Sequence, residues 1–212
     1  MAHPAVWDGQ IPTHPFETAR LVWVEVPKSG STSVKMALAN ALLGTAFTDD
    51  IGLHDFVGWT HARTQAELAE WLAQRWDGWY RFTVVRHPID RFESLYYEKI
   101  DPAGRGSINA WVAAQADSYW WEDIHAVPQT RIIGDPAAYD CVGRLERLDE
   151  LATMLSERLA VPLQFGRHNS ARRPDREPLT AETRALLARI YAADLEAFEY
   201  PLDGLRRGVD FR

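Results

Sequence analysis

The segment Leu21-Val22-Trp23-Val24-Glu25-Val26-Pro27-Lys28-Ser29-Gly30-Ser31-Thr32-Ser33-Val34-Lys35 constrains this chain more than any other. Its apolar, β-branched run reads as a strand and stops at a proline. A short loop of Lys, Ser and Gly follows, and a helix-forming stretch begins behind it. The first N–H groups of a helix have no partner within it, and the helix dipole favours negative charge there. A strand, a polar loop and a helix N-terminus in that order make an anion site. Lys28 adds a full positive charge, and Ser31, Thr32 and Ser33 add hydroxyl donors. This chemistry suits a phosphate or sulfate group. A nucleotide-triphosphate loop needs two glycines five apart with lysine directly after the second. Here the lysine stands two residues before the loop's one glycine, Gly30.

A second segment has the same plan. Trp79-Tyr80-Arg81-Phe82-Thr83-Val84-Val85 reads as a buried strand from its aromatic and β-branched content. It runs into Arg86-His87-Pro88-Ile89-Asp90-Arg91-Phe92-Glu93-Ser94-Leu95-Tyr96, where Pro88 suits the first turn of a helix. Arg86 then sits at the carboxyl end of a strand, and Ser94 lies in the second turn of the helix. Ligands of open α/β sheets bind at the carboxyl ends of strands. An arginine there can fork onto a phosphate, and a serine hydroxyl can add a further bond.

The order Pro27-Lys28-Ser29-Gly30-Ser31-Thr32-Ser33 resembles the 5′-phosphosulfate loop of sulfotransferases, and Arg86-His87-Pro88-Ile89-Asp90-Arg91-Phe92 with Ser94 and Tyr96 looks like their 3′-phosphate motif. That family takes a sulfuryl group from 3′-phosphoadenosine 5′-phosphosulfate (PAPS) and releases adenosine 3′,5′-bisphosphate. Four other segments are similar to carbohydrate sulfotransferases: Asp123-Ile124-His125-Ala126-Val127-Pro128-Gln129, the stretch 139–146, Asn169-Ser170 and the stretch 191–198. The resemblance runs from about Leu21 to Pro201. It implies that Lys28, Ser29, Gly30, Ser31, Thr32, Ser33, Arg86 and Ser94 bind PAPS, that Lys28 is also catalytic, and that no metal is required. It implies an acceptor bearing a hydroxyl, such as a sugar, another small molecule or a phenol.

Removal of the acceptor proton calls for a general base, and histidine has a suitable unperturbed pKa. There are seven histidines. His3 and His14 fall in an N-terminal stretch expected to be mobile, His87 is expected to support the turn of the second motif, and His168 precedes the late loop. His61, in Thr60-His61-Ala62-Arg63-Thr64, resembles the His-Ala-Thr-Ala segment of small family members and is the first candidate. His125 is its rival. His54 and an acidic residue such as Glu25 or Glu93 complete the set.

The pattern of elements implies an α/β fold, a P-loop-like parallel sheet flanked by helices on both faces. Thr32 or Ser33 is expected to cap a helix running to Leu43, with Gly44 as its stop. Thr64-Gln65-Ala66-Glu67 reads as a capping box for a helix ending near Trp76. A third strand is expected at 139–143, a helix at 149–159, and a last long helix behind Thr180. Residues 1–20 read as an N-terminal extension and 21–212 as a single domain.

The net charge of −7 weighs against nucleic acid as a partner. Cations must therefore be concentrated locally, and Lys28, Lys35, Arg86, Arg91 and the run 167–176 are available. Cys141 is the only cysteine, so no internal disulfide can form. No apolar run is long enough to span a membrane. These features lead to the expectation of a cytoplasmic protein. Nine tryptophans are many for 212 residues. Trp23, Trp71 and Trp76 are assigned to the core, whereas Trp59, Trp111, Trp120 and Trp121 flank loops that could face an acceptor. Two rival functions are a small-molecule kinase with a variant phosphate loop and a non-catalytic nucleotide-binding module. The kinase would need magnesium ligands and a lysine after the glycine.

Overall fold

The computed structural model describes residues 9–48, 53, 60–115, 123–166 and 176–202. His54, Trp59, Trp120, Trp121, His168, Asn169 and Ser170 lie outside the described residues. In chain order the elements are β1 (Ile11–Phe16), β2 (Leu21–Val24), α1 (Ser31–Leu43), β3 (Thr60–Ala62), α2 (Gln65–Glu70), β4 (Tyr80–Val85), α3 (Pro88–Leu95), α4 (Ile108–Ala114), α5 (Gln129–Ile133), β5 (Cys141–Arg144), α6 (Leu148–Leu159), α7 (Ala181–Ile190) and α8 (Ala192–Ala197). Single π-helical turns continue α2 over Trp71–Arg75 and α3 over Tyr96–Ile100.

The five strands form one sheet in the order β3-β1-β2-β4-β5. The expected parallel arrangement holds for β2, β4 and β5, and β1 and β3 add an antiparallel flank. The fold is α/β, with a mixed sheet flanked by helices. Leu21, Val22, Trp23 and Val24 are all buried, as are Phe82, Thr83, Val84 and Val85. Parallel strands covered on both faces give such unbroken apolar runs, which made β2 and β4 legible in the sequence.

Strand β1 lies within residues 1–20, the stretch read from the sequence as an N-terminal extension. Ile11–Phe16 pairs with β2 through Thr13↔Val24, His14↔Trp23, Pro15↔Val22 and Phe16↔Leu21. The strand contains Pro12 and Pro15, and proline cannot donate to a ladder, so its composition argues against a central strand. Pro15 lies past the last pair with β3, at Thr13↔Thr60. His14, expected in a mobile stretch, is fully buried. The cap of α1 also differs from expectation. The helix starts at Ser31 behind Gly30, so Thr32 and Ser33 lie inside its first turn, and no side chain caps it. Gly44 ends it in the left-handed conformation.

The chain divides into two compact units. The described residues of Asp8–Val85 and Ile133–Arg172 form one, and those of Arg86–Ile132 and Arg173–Arg212 form the other. In the first, Val34 and Leu38 of α1 share a core with Leu21, Trp23, Phe82, Val84 and with Leu151 and Leu155 of α6. In the second, Ile89, Phe92 and Leu95 of α3 pack with Ile108 and Val112 of α4 and Leu187 and Tyr191 around α7. Trp111 rests on this core, with ring centroids 6.1 Å from Phe92 and 5.9 Å from Tyr96, which gives it a packing role. Among the described residues no helix is long and apolar enough to cross a membrane.

Candidate functional site

The loop after β2 is tightly turned. The Ser29 N–H donates to the Val26 carbonyl at 3.3 Å, and the Ser31 hydroxyl donates to the same oxygen at 3.2 Å. Lys28 has φ 68° and Gly30 has φ 85°. A left-handed conformation costs a non-glycine residue about 1–2 kcal/mol, so the loop holds Lys28 against its own preference. The positive φ of Gly30 favours glycine, and a Cβ there would also lie 2.6 Å from Leu145 Cδ1, so that side chain would have to move. Ser29 and Ser33 are buried, while Lys28, Gly30, Ser31 and Thr32 are half-buried. All six thus lie on one turn at the uncapped start of a 13-residue helix. The arrangement fits the phosphate or sulfate end of a ligand.

A buried ionic cluster lies next to this loop in the same unit. Glu25 Oε2 meets His14 Nε2 at 2.8 Å and Lys35 Nζ at 3.2 Å, with both partner side chains fully buried. The His14 ring stacks on Trp23 at 4.7 Å. Burial pushes the Glu25 carboxyl up, but the His14 hydrogen bond and the Lys35 ammonium outweigh it and hold the carboxyl at about 2. Burial in turn pulls Lys35 below the usual lysine range and His14 below the usual histidine range. Lys35 is therefore engaged inside the protein, and Glu25 is a buried anion held between His14 and Lys35. Because the folded Glu25 carboxyl lies below its ordinary value of 4.5, its contribution to stability is full above that pH and is lost as pH falls toward 2. Glu25→Gln is expected to destabilise the fold by about 3–5 kcal/mol at neutral pH, as for other broken buried pairs. It should also flatten the loss of stability over that acid range, which urea titrations at several pH values will measure.

Arg86 opens the second unit directly after Val85, the last residue of β4. Its backbone is held by the side chain of Gln129: the Arg86 N–H donates to Gln129 Oε1 at 2.9 Å, and Gln129 Nε2 donates to the Arg86 carbonyl at 2.8 Å. Asp194 in α8 anchors Gln129 and Thr130 in turn, accepting from both backbone N–H groups at 2.8 and 2.9 Å. His87 is buried beside it, bonded to the Pro201 carbonyl at 2.9 Å and edge-on to Tyr200, so it supports the turn as expected. Arg91, counted among the available cations, is fully buried instead. Its guanidinium donates to the Val127 and Ile124 carbonyls at 2.8 and 3.0 Å and fixes the 124–127 segment. Ser94 is half-buried on α3, next to Glu93. Burial and the charge of Asp90 push the Glu93 carboxyl up, and Arg176, Arg184 and Arg86 oppose them. Three guanidinium groups thus act around this part of α3. Gln129 and Asp194 were not singled out from the sequence, although a Pro-Gln step was; the missing signal was that an amide side chain can close a backbone ladder.

The two leading histidines occupy different surroundings. His61 lies in β3 opposite Pro12, half-buried, within reach of the charge of His14. His125 Nδ1 lies 2.8 Å from Asp123 Oδ1, which also accepts the His125 backbone N–H at 2.8 Å. Lys99 Nζ lies 2.8 Å from His125 Nε2.

Searches of curated proteins and of solved structures returned no match to this chain. A sequence profile described as the sulfotransferase family matches residues 16–201. That span contains the turned loop after β2, the Arg86 turn and the Asp123–Gln129 segment, and it covers well over half of the chain: the protein belongs to the sulfotransferase family.

Proposed function

We propose that the protein transfers a sulfuryl group from PAPS to a hydroxyl of a small acceptor, with a carbohydrate or a phenol as the acceptor class. The observation that carries this reading is the strained loop of Lys28 and Gly30 at an uncapped helix start, inside a chain of the sulfotransferase family. Bound PAPS supplies the sulfuryl group, which leaves a phosphate oxygen as the acceptor hydroxyl attacks sulfur in line.

The residues of the loop take the anionic end of the donor. Ser29, Gly30, Ser31, Thr32 and Ser33 offer N–H and hydroxyl donors, and Lys28 places its ammonium against charge developing on the leaving oxygen. Arg86 and Ser94 recognise the 3′-phosphate. The Gln129 clamp supports that role for Arg86, because a held backbone leaves the guanidinium fewer conformations to lose on binding. The acceptor proton passes to a histidine, for which His61 and His125 are the candidates.

A charged hydrogen bond contributes roughly 1.5–3 kcal/mol, and about 1.4 kcal/mol is tenfold in binding. Arg86→Ala should therefore weaken adenosine 3′,5′-bisphosphate by about ten- to a hundredfold and leave adenosine 5′-phosphate nearly unchanged. Calorimetric titration of both ligands tests this. Equal losses for the two would remove Arg86 from 3′-phosphate recognition. Wild-type binding of ATP in preference to the bisphosphate would favour a kinase, and binding without turnover on any acceptor would favour a nucleotide-binding module.

A further inference from the structure

The group Asp123, His125 and Lys99 is not needed to explain the fold of its segment, which Arg91 and Tyr191 already secure. Arg91 holds the Ile124 and Val127 carbonyls, and the Tyr191 hydroxyl donates to the Ala126 carbonyl at 2.7 Å. Asp123 and Lys99 nevertheless both meet the His125 imidazole at hydrogen-bond distance. Lys99 comes from the π turn that continues α3, and such turns gather at functional places.

Elementary donor and acceptor chemistry fixes the state of that imidazole. A lysine ammonium has three donors and no acceptor. Its contact with Nε2 at 2.8 Å therefore requires a lone pair on Nε2. The ring proton is then on Nδ1, where it donates to Asp123 Oδ1 at 2.8 Å. The same oxygen accepts the His125 backbone N–H, so the carboxylate is fixed relative to the ring by two bonds. Free imidazole has no such preference imposed on it, and a carboxylate partner at one ring nitrogen sets which atom is left to act. The side chains of His125 and Asp123 are 28% and 29% exposed, so the pair is partly open to solvent, and a hydroxyl that takes the place of Lys99 Nζ would meet Nε2.

We infer that Asp123 and Lys99 are positioning residues that present His125 Nε2 as the proton acceptor for the acceptor hydroxyl. This rests on the sulfuryl-transfer reading. In the step, the acceptor oxygen forms a bond to sulfur and gives its proton to Nε2. The bond from sulfur to the phosphate oxygen breaks, and its electron pair stays on the nucleotide. Asp123 keeps its bond to Nδ1–H throughout and balances the charge gained by the ring. Lys99 keeps Nε2 unprotonated in the resting enzyme and yields its place to the hydroxyl. Among the described residues, the charged groups that act at this place include Asp123, Lys99 and the buried Arg91, whose charge interacts with that of Asp123.

The test is nitrogen NMR on the full chain labelled with ¹⁵N-histidine, together with transfer from labelled PAPS to the best acceptor of a panel of sugars and phenols. The His125 signals are those lost in His125→Gln. Wild-type protein should show a protonated Nδ1 and an unprotonated Nε2. Asp123→Ala combined with Lys99→Met should release the Nδ1 proton preference and populate the Nε2-protonated ring, and Asp123→Ala alone should lower kcat by at least about tenfold, part of the hundred- to ten-thousandfold contribution of a general base. Adenosine 3′,5′-bisphosphate affinity should stay near wild type, which also shows that the variant is folded. Lys99→Met should keep the Nδ1 proton and shift the Nε2 signal. A wild-type ring protonated at Nε2 overturns the inference, and so does an Asp123→Ala variant at full turnover. The tautomer needs no acceptor to be read. A protein inactive on every acceptor would therefore defeat the sulfuryl-transfer reading while the NMR result still judged the triad.

Discussion

Lys28→Ala is expected to lower turnover by about a hundred- to a thousandfold, the range seen when one donor to a developing oxyanion is removed. Adenosine 3′,5′-bisphosphate affinity should fall by less, because the product already carries its charge when it binds and other donors of the loop remain. An interaction strongest in the transition state reduces rate more than ground-state binding. The left-handed backbone of Lys28 bears on the choice of control. Lys28→Gly removes the ammonium and also relaxes the backbone, so it should match the alanine variant in rate while differing in stability. Paired measurement of kcat and product affinity decides the matter. An alanine variant with normal turnover and only a raised Michaelis constant for PAPS would assign Lys28 to binding alone.

The second large effect is expected at the base. His125→Ala should lower turnover by about a hundred- to ten-thousandfold with little change in nucleotide affinity. His61→Ala should lower it by less. His125 is oriented by a carboxylate through two bonds, whereas His61 lies in a three-residue strand paired to β1. Turnover of the two variants, each checked for folding and for product affinity, is the comparison. The larger loss at His61 would reverse the assignment. Full turnover in both would pass the proton to a carboxylate or to water.

The features legible in the sequence were those that depend on neighbours close in the chain. The buried runs of β2 and β4, the Gly44 stop, the Thr180 cap and Pro88 at a helix start all follow from local preference and burial. Thr64 does accept the Glu67 N–H at 3.1 Å, but Glu67 reaches back to the Arg63 N–H, one residue earlier than a reciprocal box requires. Strand β1 escaped because two prolines contradict the central position that pairing imposes on it. The fates of Lys35 and Arg91 escaped for a different reason. A cation near a phosphate motif looks available until the structure shows a carboxylate or a pair of carbonyls already in its reach. The same holds for Asp123 and Lys99, which lie 24 residues apart and share a histidine only after folding.

The clamp on Arg86 ties the protein's chemistry to the order in which a ribosome delivers the chain. Gln129 grips the Arg86 backbone, Asp194 grips Gln129, and the His87 ring is bonded at Pro201. The loop after β2 emerges early, with its strand and helix adjacent in sequence. Arg86 follows soon after, but Gln129 comes 43 residues later, and Asp194 and Pro201 more than a hundred residues later. During synthesis the Arg86 turn therefore waits for partners that the sequence places far downstream. A message cut short before codon 194 would yield a chain without the Asp194 anchor of Gln129 and without the Pro201 bond of His87.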